Sequence, residues 1–192
     1  MGKGRGLLDL DNPFWRFSLS LYGADGVKDE CIALQDALDI NVNVLLFAAW
    51  LGAERGAKLT AADLDAIEAE ISPWQDAVVR PLRQVRLYLK TLRGKSDGHE
   101  RLARIAAQIE LDAEQIQQAM LFALAKNRWP ASHGPGSRGA AQANLEALIR
   151  GRGTVVRDGQ GVPAVLPSLV RALAAHLAKG EAGDGRQAAG EQ

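Results

Sequence analysis

Residues 11–52, DNPFWRFSLSLYGADGVKDECIALQDALDINVNVLLFAAWLG, decide the fold of this chain. The stretch holds three of the four Phe residues, two of the four Trp residues and the only Cys. Apolar residues recur at helical spacing through its first two segments, and the third segment, 41–52, is apolar on every side. A helix without a polar face must be surrounded by other helices. The stretch therefore predicts an all-α bundle in which the third helix is central.

The overall composition is that of an ordinary globular protein. Apolar residues make up 47% of the 192 residues, and 23 basic residues balance 23 acidic ones. This balance gives no global field that would favour nucleic acid or an anionic membrane. A single cysteine excludes an internal disulfide framework, and no apolar run is long enough for a signal peptide or a membrane span. We therefore expect a cytoplasmic protein that does not associate with a membrane.

Capping residues and prolines mark where the helices of the bundle begin. Pro73 is placed to open a fifth helix, and Pro81 within it predicts a bend one turn earlier. Asp112 is placed to cap the last of seven helices, and short loops between them indicate a compact multi-helix bundle over 11–126. The predicted bounds are about 13–22, 25–38, 41–52, 60–71, 73–94, 98–110 and 112–126.

The composition changes after residue 126. The segment 127–139 is rich in Pro, Gly and Ser, which is typical of a linker. Beyond it, residues 140–178 predict a loosely attached C-terminal helical segment, and β-branched residues favour a small β-hairpin at 153–163. Residues 1–10 are expected to be flexible and residues 179–192 to be disordered.

A basic ridge on the fifth helix is the clearest charge feature of the sequence. Its side chains fall on one arc at 100° per residue, beside an apolar arc that can enter the core. Such a ridge can bind phosphate, nucleic acid or an acidic protein partner. It can equally be solvated or lie against the acidic fourth helix. The basic ridge consists of Arg80, Arg83, Arg86, Lys90 and Arg93.

Aromatic and amide side chains of the first three helices form the second candidate site. A buried amide needs hydrogen-bond partners, because an unpaired one costs about 1–3 kcal/mol. Backbone groups, other amides or a ligand can supply the partners. Capping and inter-helix bonding therefore explain these residues as well as a small-molecule pocket does. The candidate pocket residues are Trp15, Tyr22, Gln35, Asn43 and Trp50.

The sequence contains no recognisable catalytic or metal-binding motif. Cys31 has no nearby histidine to activate it and lies on an apolar stripe, as a structural cysteine does. The three histidines lie in separate segments, and there is no CxxC, HExxH or phosphate-binding glycine loop. We therefore expect no catalytic residue, no metal ion and no cofactor.

Residues spread over the predicted bundle resemble the pattern of a known family. They are Phe14-Trp15, Ser18, Leu21-Tyr22, Val27, Cys31, Leu34-Gln35, Val42-Asn43, Leu45-Leu46-Phe47, Trp50, Trp74, Pro81-Leu82-Arg83, Arg86 and Leu89-Lys90. The pattern is similar to that of an uncharacterised, mainly proteobacterial family of small all-helical proteins, a domain of unknown function, over about residues 12–126. This resemblance implies a helical bundle and brings no activity, cofactor or catalytic residue with it.

Three functions are compatible with the sequence. The leading hypothesis is a non-catalytic helical protein-interaction or adaptor protein, which could self-associate through its C-terminal helix. It is favoured because the core is saturated with apolar side chains and no reaction centre is evident. One alternative is a nucleic-acid or acidic-partner binder that uses the basic ridge. The other is a small-molecule binder or enzyme with a pocket at the first three helices.

Overall fold

Helices make up the regular structure of this chain, of which the computed structural model describes residues 7–130, 136–151 and 166–188. Within these ranges there are helices and no strand, which confirms the predicted all-α bundle. The helices are α1 (Pro13–Tyr22), α2 (Val27–Leu38), α3 (Val42–Arg55), α4 (Ala61–Trp74), a π-helical segment (Gln75–Val79), α5 (Arg80–Lys90), α6 (Asp97–Arg128), α7 (Arg138–Gly151) and α8 (Pro167–Ala188).

Helix α3 is the centre of the bundle, as the sequence predicts. Every residue from 43 to 53 is buried, and α1, α6, α7 and α8 pack around the helix. The ring centroids of Phe14 and Phe47 are 5.1 Å apart, and Trp50 lies 5.5 Å from Phe14 and 5.8 Å from Phe122. Fully burying each such side chain stabilises the fold by about 1.5–3 kcal/mol, so this aromatic cluster is a major part of the core.

Helices α4 and α5 are joined through the π-helical segment into one bent helix. The expected break at Pro73 is wrong: the helix continues through it, and the Ser72 hydroxyl donates a 2.6 Å hydrogen bond to the Glu68 carbonyl one turn earlier. The wider π turn then places Pro81 in the first turn of α5, where proline is tolerated. The π-helical segment therefore lies one turn before Pro81, where the sequence predicts a bend.

Helix α6 is a single helix of 32 residues where the sequence predicts two. Asp112, expected to cap the second helix, lies inside α6 and accepts a 2.8 Å hydrogen bond from the Gln108 side chain. No glycine or proline separates the two predicted segments, and buried Ala106 and Ala113 continue the same stripe across the expected break. A residue that suits a cap does not end a helix when nothing else interrupts the helical pattern.

Helices α7 and α8 share the core of α1 and α3, which corrects the prediction of a loosely attached C-terminal segment. Leu145 and Leu169 are buried within the same apolar cluster as the aromatic rings of α3. The contact with α3 is close because it uses small residues: a Cβ added to Gly52 would lie 2.3 Å from the Ala141 nitrogen. Small residues allow two helix backbones to approach closely, but they give only a weak apolar stripe in the sequence. The contact between α3 and α7 was therefore hard to predict.

Glu30 on α2 caps the first turn of α8. Its two carboxylate oxygens accept hydrogen bonds of 2.7 Å from the Ser168 backbone N–H and 3.0 Å from the Leu169 backbone N–H. A carboxylate at this position pairs free N–H groups and suits the positive end of the helix dipole. The structure describes helix α8 as far as Ala188, and the disorder expected at 179–192 stays a prediction.

The predicted linker at 127–139 is partly helix and partly packed chain. Helix α6 extends to Arg128, and the buried Trp129 ring lies 6.2 Å from the Phe47 ring in an edge-on contact. The Ser137 backbone N–H then donates a 3.0 Å hydrogen bond to the Gly52 carbonyl. The described residues leave out 131–135, 1–6 of the N-terminus that the sequence predicts to be flexible, and the whole of the predicted hairpin at 153–163.

Candidate functional site

A cavity of about 130 Å³ lies where α1, α2, α3, α5 and α6 meet. Its rim is apolar and open to solvent, with Leu19 exposed to 53% and Leu111 to 44%. Its floor is polar and buried, with Ser18 exposed to 2% and Gln118 to 3%. An apolar mouth above a few buried polar groups is the usual layout of a small-molecule site.

The structure brings four of the five candidate pocket residues to this cavity. Trp15 and Tyr22 line it from α1, Gln35 from α2 and Asn43 from the first turn of α3. Trp50 does not line it, because its ring lies further along α3 and is buried against phenylalanine rings. The assignment of Trp50 to the pocket is therefore corrected: it is a core residue.

A chain of amide hydrogen bonds leads to the cavity floor. It begins at the Asn43 backbone N–H, which donates to Asn41 Oδ1 at 2.8 Å. Because a backbone N–H can only donate, this bond assigns the oxygen of Asn41 and leaves its Nδ2 as a donor. That Nδ2 donates to Gln75 Oε1 at 2.8 Å and to Gln117 Oε1 at 3.3 Å. The orientation of both glutamines follows from these two bonds.

The chain of amide hydrogen bonds continues from Gln117 through Asn43 to Gln118. Gln117 Oε1 also accepts from Asn43 Nδ2 at 2.8 Å, so the other atom of the Asn43 amide is an oxygen. This Asn43 Oδ1 accepts from Gln118 Nε2 at 2.8 Å. Gln118 Oε1 is then the acceptor at the end of the chain of bonds. The amides of Asn41 and Asn43 thus serve capping and inter-helix bonding, one of the two explanations that the sequence offers.

Two buried polar atoms of the cavity floor have no hydrogen-bond partner among the described residues. They are Gln118 Oε1 and the hydroxyl oxygen of Ser18. Buried side-chain polar atoms are normally paired, and an unpaired one costs about 1–3 kcal/mol. Both atoms are almost inaccessible to solvent and belong to residues that line the same cavity, so a ligand whose polar groups reach them would pair them.

Arg83 and Glu114 line one wall of the cavity and belong to a cluster of two arginines and two glutamates. Arg83 Nε is 3.0 Å from Glu110 Oε1, and Arg83 Nη2 is 2.6 Å from Glu114 Oε1. Arg86 binds Glu110 through its Nε and, at 3.2 Å, through its Nη2. Burial raises the pKa of Glu114, an effect that outweighs the attraction of Arg83. Two positive and two negative side chains face each other, so this wall has little net charge.

The basic ridge is divided among several partners and does not form one row of free cations. Arg80 Nη2 lies 2.9 Å from Asp39 Oδ2, while Arg83 and Arg86 bind the glutamates of α6. Lys90 and Arg93 are exposed. The paired acids are Asp39, which follows α2, Asp76 at the end of the acidic segment that the sequence pointed to, and the two glutamates of α6. Of the five ridge residues, Arg83 is the one that lines the cavity.

A second, polar cleft of about 370 Å³ adjoins the π-helical segment. Gln35 and Arg83 line both this cleft and the cavity, and Asn41 and Gln75 connect the cleft to the chain of amides. Asp39, in its wall, adopts a left-handed backbone conformation with φ of 51°. Its carboxylate is held by Arg80, so the principal charges of this wall are paired.

Sequence reasoning missed the residues that make the cavity floor polar. Ser18 lies on a helix that is apolar on most sides, and Gln118 lies in α6 between apolar residues of the same stripe. The signal was the one that singled out Gln35 and Asn43: a polar side chain inside an apolar helical pattern. Applied to α6, it would have singled out Gln117 and Gln118 as polar side chains in need of partners, without saying which helix supplies them.

Cys31 lies in the core and does not line the cavity. Burial raises the pKa of its thiol to about 12, and the thiolate is the reactive form. We expect the folded protein at pH 8 to react with a disulfide reagent roughly a hundredfold or more slowly than the urea-unfolded chain does. Spectrophotometric thiol titration with and without urea measures the two rates. A rapid reaction of the folded protein would contradict the buried position of Cys31.

The parts of the chain that the structure describes contain no metal-binding cluster and no membrane-spanning helix. No three His, Cys, Asp or Glu side chains in these parts are grouped in a way that could hold a metal ion. None of the helices there combines the length and the apolar character needed to cross a membrane.

Over the residues that the structure describes, the chain is a helical bundle with a small, partly polar cavity among its first six helices. The chain belongs to the family described as "Protein of unknown function (DUF2390)", whose model matches residues 13–121. This match confirms the resemblance to an uncharacterised family. It spans α1 to α5 and most of α6, which include every residue that lines the cavity. Neither a curated protein nor a solved structure matches the chain.

Proposed function

We propose that this protein is a non-catalytic binding protein that holds a small organic molecule in the cavity between α1, α3 and α6. The observation that carries the proposal is the pair of unpartnered polar atoms, Ser18 Oγ and Gln118 Oε1, on the floor of a cavity with an apolar rim. A ligand that enters past Leu19 and Leu111 would cover exposed apolar surface and pair buried polar atoms.

The size of the cavity limits the ligand. Its volume of about 130 Å³ is close to the roughly 150 Å³ at which a buried cavity takes up benzene. A molecule with one ring and a short substituent fits, while a nucleotide or a peptide segment is too large. The proposed ligand is therefore of the size of a single aromatic or heteroaromatic ring.

The side chains around the cavity favour binding over catalysis. Cys31 is buried away from it, and burial raises the pKa of the Tyr22 phenol, which disfavours the phenolate. Glu114, the carboxylate in the wall, is held by Arg83 at 2.6 Å. A nucleophile or base needs a free lone pair directed at the substrate, and these groups are either protonated or engaged.

A screen of single-ring compounds by ligand-observed NMR tests the proposal. We expect binders for the wild-type protein and the loss of their signals in Leu19→Trp, in which a larger side chain closes the rim. Ile32→Trp is the matched control, because Ile32 is also an exposed helical residue but does not line the cavity. The proposal fails if no compound binds the wild type, or if Leu19→Trp binds as the wild type does.

A second candidate function is protein interaction through an exposed apolar surface on α5 and α6. Val85, Leu102, Ile105 and Ile109 are 44–51% exposed, and large apolar side chains grouped on a surface favour association. The apolar face of α8 is buried in the core of the same chain, so this candidate does not use the C-terminal helix. Sedimentation velocity of the wild type and of Ile105→Lys tests it, because self-association would appear as a species above the monomer that the substitution removes.

A further inference from the structure

We infer that the ligand of this cavity is a neutral ring compound that carries an N–H or O–H group, and that it donates this hydrogen to Gln118 Oε1. The inference rests on the function proposed above and specifies the chemical class of the ligand. It follows from three properties of the site, which are the direction of the amide chain, the pairing of the charges in the wall, and the character of the walls.

The direction of the amide chain requires a donor on the ligand. The chain begins at a backbone N–H, and each bond from Asn41 through Gln117 and Asn43 assigns the next amide until Gln118 Oε1 remains. Rotating the Gln118 amide by 180° would set its oxygen against Asn43 Oδ1, so that two acceptors face each other. The unpaired atom of this lining residue is therefore an acceptor, and a ligand without a donor leaves it unpaired.

The charges in the wall require a neutral ligand. The two carboxylates of Glu110 and Glu114 are engaged by the guanidinium groups of Arg83 and Arg86. A charged ligand would lose its hydration on entering and would find no free opposite charge in this cluster. A neutral ligand avoids that cost.

The remaining walls favour a ring. Trp15 and Tyr22 line the cavity from α1, and Val42 and Leu46 line it from α3. Apolar surface is therefore available from both helices. Aromatic contacts add to simple burial of apolar area. The Ser18 hydroxyl can donate or accept, so it tolerates a second polar group on the ligand without requiring one.

The pair phenol and toluene tests the need for a donor, because the two have nearly the same size and differ in one O–H group. Dissociation constants are measured by titration followed in ¹H–¹⁵N NMR spectra, including the side-chain signals of Trp15 and Gln118. We expect phenol to bind roughly tenfold to a hundredfold more tightly than toluene. Benzoate and benzylammonium, the charged probes, should bind more weakly than phenol.

The variant Gln118→Met removes the acceptor and keeps the length of the side chain. It should bind toluene at least as tightly as the wild type does and lose the preference for phenol. If this variant does not fold, the ratio of the two wild-type dissociation constants still decides the question. Equal binding of phenol and toluene to the wild type would overturn the inference and leave the proposed function intact, as would tighter binding of a charged probe. No binding of any probe would reject both.

Discussion

Replacing Glu110 by alanine is expected to lower the free energy of unfolding by about 3–5 kcal/mol. Glu110 is buried, and its carboxylate binds both Arg83 and Arg86. Removing it leaves two partly buried guanidinium groups that share one remaining carboxylate, Glu114, which contacts Arg83. Breaking a buried pair from one side is costly because the other charge stays buried without compensation. Urea unfolding followed by circular dichroism measures the change.

The control for this substitution is Arg104→Ala, on the same helix. Arg104 is exposed, so its replacement should change the free energy of unfolding by less than about 0.5 kcal/mol. Adding Arg86→Met to Glu110→Ala should restore part of the lost stability, since it removes one uncompensated charge. A loss below about 1 kcal/mol for Glu110→Ala alone would show that the cluster is solvated, as exposed ion pairs are.

The arginine cluster also shows where the sequence stops being informative. The helical arc of the basic ridge could be read from residue spacing, but its partners on α6 lie 24–31 residues further along the chain. Spacing within one helix says nothing about which other helix packs against it. The same limit explains the cavity: Trp15, Tyr22 and Asn43 could be selected one helix at a time, while Gln118 matters because of the helix it faces.

Local features were predictable because they depend on few neighbouring residues. Asn12, Asn41 and Thr60 each stand directly before a helix and cap it with a side-chain oxygen that accepts a backbone N–H. The central position of α3 also follows from local information, since its sequence has no polar face to present to water. The packing of α7 did not follow, because its contact with α3 depends on small residues and on one buried amide.

That amide, Asn144, provides the test of how firmly α7 is attached. Its Oδ1 accepts from the Leu59 backbone N–H at 2.8 Å, and its Nδ2 donates to the carbonyls of Ala48 at 3.0 Å and Ala57 at 2.8 Å. Asn144→Ala deprives three buried backbone groups of this partner, and each unpaired group costs about 1–3 kcal/mol. We expect the free energy of unfolding to fall by about 3 kcal/mol or more in urea titrations.

Gln142→Ala is the matched control for Asn144→Ala, because Gln142 is an exposed amide on the same helix. Its replacement should cost less than about 0.5 kcal/mol. Asn144→Asp keeps the acceptor for the Leu59 N–H and loses the two donated bonds, and it buries a carboxylate beside two carbonyl oxygens. It should therefore be no more stable than Asn144→Ala at pH 7 and should recover stability as the pH falls and the carboxyl is protonated. If Asn144→Ala were as mild as Gln142→Ala, α7 would be a loosely held segment, and the sequence-based expectation for residues 140–178 would be right after all.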